Sequence, residues 1–220
     1  MGCETREDLL KKWKADLERI KTEVLDLHRN RKICRKVDEV VSANPRIKAN
    51  PLLRWMAEGY AASACLAVRR LLDADPRSVS LATLIDDIRK NPGAITREHF
   101  VAAYPDWMQR HGHADRAFDQ FAGEGGAIVD PEILKRKLAE TRERCQQIRD
   151  YVNKFVAHTH RTKTDRVPTF KKLHEAVDFV GALFNELHVL IDGSVFACLE
   201  PEPQYNWRWI FEEPWVAPRR

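Results

Sequence analysis

One spacing constrains this chain more than any other feature. Leu10, Trp13, Leu17, Ile20, Val24 and Leu27 follow one another at intervals of 3, 4, 3, 4 and 3, which puts six apolar side chains on a single stripe of an α-helix. A strand, with its period of two, would scatter the same residues over both faces. The stripe loses phase near Asn30 and restarts at Ile33, Val37 and Val40 before Asn44-Pro45, so the sequence predicts a kink or a short second helix there.

The helical period returns along the chain. Residues 52–73 are apolar almost all round, with Gly59, Ala61, Ala62, Ser63, Ala64 and Ala67 allowing close approach of neighbouring backbones, and are expected to form a buried central helix. Within them only Glu58 is charged between Trp55 and Val68, but that stretch is shorter than the roughly 20 residues a membrane crossing needs. No membrane segment is expected. Ser80 is placed to cap a helix over 81–90, which Asn91-Pro92-Gly93 stops. Residues 94–129 alternate short helical pieces (97–103, 114–121) with Tyr104-Pro105 and Gly123-Glu124-Gly125-Gly126, and read as an insertion.

Asp130-Pro131-Glu132 combines a cap, a proline at the first helical position and an acid in the first turn, and predicts a helix running to about His158. Its seam is Leu134, Leu138, Thr141, Cys145, Ile148, Val152 and Phe155. Thr169 opens the last long helix, striped by Leu173, Val177, Val180, Phe184, Leu187 and Ile191 and closed by Gly193. In the segment 196–220, Tyr205, Trp207, Trp209, Phe211 and Trp215 carry too much aromatic area to leave in water, and the tail is expected to pack on the bundle or on a partner. The fold class is therefore all-α: four long helices in a bundle, short inserted helices over 94–129 and an aromatic tail, read as one domain over 1–220.

Composition excludes several function classes. With 44% hydrophobic and 32% charged residues, the chain is neither disordered nor a membrane bundle. Five scattered cysteines with no Cys-x-x-Cys pair suggest buried or idle thiols rather than a disulfide framework or zinc knuckle. His111-Gly112-His113 and His158-Thr159-His160 lack acidic or thiol partners at a recognised metal spacing. No metal and no cofactor is expected, and no Gly-rich phosphate loop or serine nucleophile elbow is present. The N-terminus lacks the apolar run of a signal peptide, and Arg6 stands where a myristoylation signal wants Ser or Thr. A cytoplasmic location is expected.

The net charge of +4 is unevenly placed, since residues 154–172 hold six Lys or Arg against the single acid Asp165. A second focus, residues 29–36, holds five basic residues and no acid. Both are potential sites for a polyanion, although such runs are often simply solvated faces. Arg69, Arg70 and Asp73, at spacings of 4 and 3, are expected to form an ion pair within their helix.

The most informative stretch is Ile148-Arg149-Asp150-Tyr151-Val152-Asn153-Lys154-Phe155-Val156-Ala157-His158. It resembles the signature of the HEPN superfamily, and Asn153, Lys154, Ala157 and His158 match the Arg-Asn-Lys-x-x-Ala-His version associated with its abortive-infection branch. Arg70-Leu71-Leu72-Asp73, Ser80-Leu81 and Tyr205-Asn206-Trp207 carry weaker resemblances to the same branch. The resemblance implies a HEPN-like helical bundle, a homodimer whose motif helices face each other, and an abortive-infection or toxin-antitoxin role with RNA as target and a protein antitoxin as partner. In active members it implies metal-independent endoribonuclease chemistry: the 2′-hydroxyl attacks the adjacent phosphorus, a histidine moves protons and an arginine steadies the phosphoryl charge.

The sequence departs from that pattern at one position, where Val152 stands in place of the expected arginine. A valine cannot hold a phosphate, and a core position on the apolar seam explains it. The resemblance implies proton transfer by His158; with the expected arginine replaced, Arg149 and Asn153, one turn apart on one helix face, are read as a substitute phosphate ligand and an orienting residue. Arg149 lies roughly 13 Å from His158 along a helix axis, so only the Arg149 of a second protomer would approach it. His158 has an equally good account as a helix C-terminal cap. Lys154, His160, Arg161, Lys163 and Arg166, with Lys171 and Lys172 beyond them, form the expected RNA-contacting cluster. A binding module without chemistry and a purely structural helical dimer are the alternatives.

Overall fold

The computed structural model describes residues 4–44, 50–156, 167–196, 198–200 and 205–212, without the side chains of 155 and 156. Among the described residues the chain is an all-α bundle; its one strand-like feature is an isolated bridge between Thr96 and Ile128. The helices in chain order are α1 (Arg6–Ala43), α2 (Pro51–Leu71), α3 (Leu81–Lys90), α4 (Arg97–Ala102), α5 (Asp106–Arg110), α6 (His113–Ala122), α7 (Pro131–Arg144), α8 (Gln146–Tyr151) and α9 (Phe170–Asp192). No helix among the described residues is long and apolar enough to cross a membrane.

Side-chain chemistry sets the helix starts. Thr5 and Asp8 form a reciprocal capping box at α1, and Ser80 and Thr83 do the same at α3. Asp130 accepts from the Glu132 amide ahead of Pro131, and Thr169 accepts from the Lys172 amide. Each such cap satisfies an otherwise orphaned donor and contributes about 1 kcal/mol. Gly193 ends α9 with φ 73°, a left-handed value that favours glycine. α5 went unread in the sequence; it is a single short piece begun by Pro105.

α1, α2, α9 and the α7–α8 rod pack around one apolar core, in which Trp13, Phe118, Phe121 and Phe184 are completely buried. Burying side chains of this size stabilises by roughly 1.5–3 kcal/mol each. Trp13 also donates its indole N–H to Asp87 of α3 at 2.8 Å, so its polar edge is satisfied. The inserted helices join this core through Phe100, Phe118 and Phe121, and Arg97 ties their loop down by reaching Asp115, Asp119 and the Gly126 carbonyl.

Three sequence expectations are corrected. α1 has no kink at Asn30: it runs unbroken to Ala43, because the stripe continues through His28 and Arg31, both buried. α2 is not buried all round. Its burial is confined to Ala64, Cys65, Ala67, Val68 and Leu71, while Leu52, Trp55 and Met56 are exposed beside a cleft of about 900 Å³ between α1 and α2. The helix begun by Asp130 is not continuous either. It breaks at Cys145 (φ −92°, ψ 3°), resumes as α8 and widens into a π turn over Val152–Val156.

After α9 the chain turns back on the bundle. Phe196 packs against Phe184 and His188, and Glu200 meets the buried Arg31 at 2.7 Å. Arg31 also pairs with Asp178 of α9 and donates to the His174 carbonyl and to His28 Nδ1. Further on, Trp207–Phe211 is a short 3-10 helix in which Trp209, Ile210 and Phe211 are exposed, as is Tyr205 before it.

Candidate functional site

α2 packs against α8 and the π turn, and its last turn carries Arg69 and Arg70. The small and buried residues Ala64, Cys65, Ala67 and Val68 on one side, and Ile148 and Val152 on the other, are all core residues that let these segments close. Val152 is fully buried, which is the core role its position on the seam implies.

Three guanidinium groups collect at this junction. Arg69 donates its Nε–H to Asn153 Oδ1 at 2.7 Å and lies 3.9 Å from Asp73. Arg142 donates to the Leu72 carbonyl at 3.1 Å, just past the end of α2, where a cation is favoured by the open carbonyls of the helix terminus. Arg149, two turns further along the rod, donates to Gln146 at 3.4 Å, and Gln146 in turn donates to Asp150 at 2.7 Å. Burial, and then the positive charge of Arg149, hold Arg142 below the ordinary arginine value, against the opposing pull of Asp73. The Arg142 Nε is buried without a hydrogen-bond partner among the described residues. Asp73 is the one carboxylate that pairs with any of these three arginines among the described residues.

This geometry fixes an amide. Arginine has donors and no acceptor, so the Arg69 contact requires the Asn153 oxygen to face inward, leaving its NH₂ donors for other partners. Asn153 and Lys154 are both exposed. The junction thus offers guanidinium and amide donors with little carboxylate to neutralise them, an arrangement suited to an oxyanion.

Against known proteins, the sequence matches the AbiU2 HEPN family over residues 10–209. The chain belongs to that family. AbiU2 HEPN proteins are a HEPN-type abortive-infection family, so the all-α bundle is that of a HEPN protein. No curated protein and no solved structure matches the chain significantly.

Within this HEPN chain the residues expected from sequence are only partly brought together. Arg149 and Asn153 lie one turn apart as expected, but Arg149 is directed to Gln146, and the group that meets Asn153 is Arg69. His158, His160, Arg161, Lys163 and Arg166 lie outside the described residues. The expected ion pair within α2 exists only as the 3.9 Å Arg69–Asp73 approach, because Arg70 turns instead to Glu23 of α1 at 2.5 Å. Arg69 and Arg142 were missed as partners of the motif. The available signal was that Arg69 and Arg70 close α2, as one expects of cations at a helix end, but nothing local says which helix they face. Among the described residues no three His, Cys, Asp or Glu side chains form a group that could hold a metal ion.

Proposed function

We propose that this AbiU2-family protein acts in abortive infection by binding RNA and cleaving it without a metal ion. The observation that carries the reading is the junction of Arg69, Arg142, Arg149 and Asn153, four donor side chains gathered at the start of the HEPN-like motif with one carboxylate among them. In this reading the 2′-oxygen of the substrate bonds to phosphorus and gives up its proton to solvent water as the bond from phosphorus to the 5′-oxygen breaks. The 5′-oxygen leaves with a proton supplied by His158, and the products carry a 2′,3′-cyclic phosphate and a 5′-hydroxyl. Asn153 orients the phosphodiester and Arg149 supplies charge. Lys154, His160, Arg161, Lys163 and Arg166 hold the flanking strand through its phosphates. A homodimer brings two motif helices together, and a cytoplasmic protein antitoxin holds the activity in check.

The test is incubation of the purified protein with RNA in EDTA, with end mapping, beside His158→Ala. Cyclic phosphate ends that disappear in the variant support the proposal; intact RNA with the parent protein defeats the catalytic half of it.

A second reading, an RNA-binding HEPN module without chemistry, is favoured by one observation. Val152 is fully buried in the apolar seam, and an arginine in its place would have no route to a substrate without breaking the core. In that case the parent protein binds RNA with the charge dependence described below and leaves it uncut.

A further inference from the structure

The motif lacks an arginine at position 152, and an arginine of a different helix, Arg69 of α2, meets the motif at Asn153. We propose that Arg69, held by Asn153, is a phosphodiester-contacting residue of this protein, delivering from the end of α2 the guanidinium that Val152 cannot. The proposal rests on the RNA-binding reading above and deepens it by naming a ligand of the phosphate.

Three features of the junction support it. First, Arg69 is oriented: its Nε–H is committed to Asn153 at 2.7 Å, so the group is held at the motif instead of sweeping through solvent. Its only ion pair among the described residues is the long approach to Asp73 at 3.9 Å, which leaves donor capacity on its Nη atoms. Second, Arg69 and Asn153 act as one unit. The bond that fixes the guanidinium also turns the amide NH₂ outward, so a phosphate oxygen arriving there meets two kinds of donor from two different helices. Third, the junction holds excess positive charge. Arg142 is bonded to the Leu72 carbonyl at the end of the same helix and lies within the field of Arg149 and of Asp73, and among the described residues neither Arg142 nor Arg149 has a carboxylate ion pair. A bound phosphodiester would supply the missing negative charge.

Its neighbour provides the contrast. Arg70, one residue along the same helix, is paired with Glu23 through both Nε and Nη2. Its charge is already met, and it faces α1 rather than the motif.

The experiment measures affinity for a labelled single-stranded 2′-O-methyl RNA, which lacks the attacking hydroxyl, over a series of salt concentrations. Parent, Arg69→Gln and Arg70→Gln are compared, with thermal melts to establish that each is folded. Each phosphate neutralised on a single strand contributes about 0.7 to the slope of log K against log salt. Arg69→Gln is expected to bind roughly tenfold more weakly at low salt and with a slope shallower by about 0.7, while Arg70→Gln follows the parent. A parental slope in a folded Arg69→Gln overturns the inference and leaves the RNA reading standing. Equal losses in the two variants also overturn it, since a general loss of charge would then explain both. Failure of the parent to bind at low salt overturns the RNA reading, and the inference with it.

Discussion

Two arginines, Arg31 and Arg69, show opposite ways of placing a guanidinium in one bundle. Arg31 sits in the core, saturated: two carboxylates, Asp178 and Glu200, the His174 carbonyl and the His28 ring all meet it. Arg69 sits half-buried at a helix end, with an amide and a distant carboxylate. The first arrangement fastens the segment after α9 onto α1 and has no capacity for a ligand. The second contributes little to holding the fold and retains donors. Charge balance, more than charge itself, separates a structural arginine from one available to a partner.

The comparison breaks most directly at Arg31. Arg31→Ala would leave Asp178 and Glu200 facing each other across a vacated site and release the Glu200 segment. Losing one member of a buried ion pair costs about 3–5 kcal/mol, and the exposure of Asp178 to solvent puts this case near the lower end, at about 3 kcal/mol. Denaturant unfolding measures it. A loss under about 1 kcal/mol would mean that the Arg31 centre is not the clamp its geometry implies.

The same centre predicts a response to acid. His28 accepts no proton readily: burial first, then the Arg31 charge, lowers it to about 4, outweighing Asp178, Glu200 and the Val177 carbonyl. His174, near by, is lowered in the same direction by burial and by Arg35 and Arg31. A histidine depressed on folding binds more protons in the unfolded chain. Its contribution is therefore complete above the ordinary histidine value of 6.5 and is lost as pH falls from there toward about 4. Between about pH 7 and about pH 5 His28 alone removes about 2 kcal/mol. Unfolding free energies of parent and His28→Gln at the two pH values check this, because the variant should lack that share of the slope. Parallel slopes would show that His28 is already protonated, or solvated, in the folded protein.

Much of the fold is legible in the sequence, and the reason is that helix stripes and caps are local. The seam Leu134, Leu138, Thr141, Cys145, Ile148 and Val152 is buried as its spacing implies, and the caps at Ser80, Asp130 and Thr169 are in place. Where the reading failed, a polar residue stood on an apolar stripe. Arg31 follows Val24 and His28 at the helical spacing, yet an arginine reads as a break until Asp178 and Glu200 arrive from 147 and 169 residues away. The central helix failed for the converse reason: Trp55 and Met56 are apolar, but among the described residues they are left exposed. The site is less legible than the fold. Asn153 is marked by its motif, whereas Arg69 meets it across 84 residues, and pairing between helices has no local signature.

Packing beside His28 gives a smaller effect. A Cβ added at Gly181 would lie 2.5 Å from His28 Nε2 and 2.8 Å from a Leu199 methyl. His28 is pinned by Arg31 and cannot swing aside, so the clash has to move Leu199 or α9. Replacing glycine within a helix gains about 1 kcal/mol in propensity, and overpacking costs about 1–3 kcal/mol. Gly181→Ala is expected to destabilise by about 1 kcal/mol net. In a His28→Ala background the sign reverses, since the ring that blocks the methyl is gone. A double-mutant cycle by thermal melting reads this coupling directly; additive effects would show that the two positions do not touch.

The smallest expected change is at the other arginine. Arg69→Gln removes one hydrogen bond to an exposed amide and one long ion pair, and such surface contacts contribute about 0–1 kcal/mol. The change in unfolding free energy is therefore expected to lie within about 0.5 kcal/mol of zero. Chemical denaturation of Arg69→Gln beside Arg31→Ala sets the two centres on one scale. If Arg69→Gln costs as much as Arg31→Ala, both guanidiniums are fasteners, and any loss of RNA affinity in the variant would follow from a loosened α2 rather than from a missing phosphate contact. If stability holds while the salt dependence of RNA binding falls, the α2 guanidinium is spent on a ligand and not on the fold.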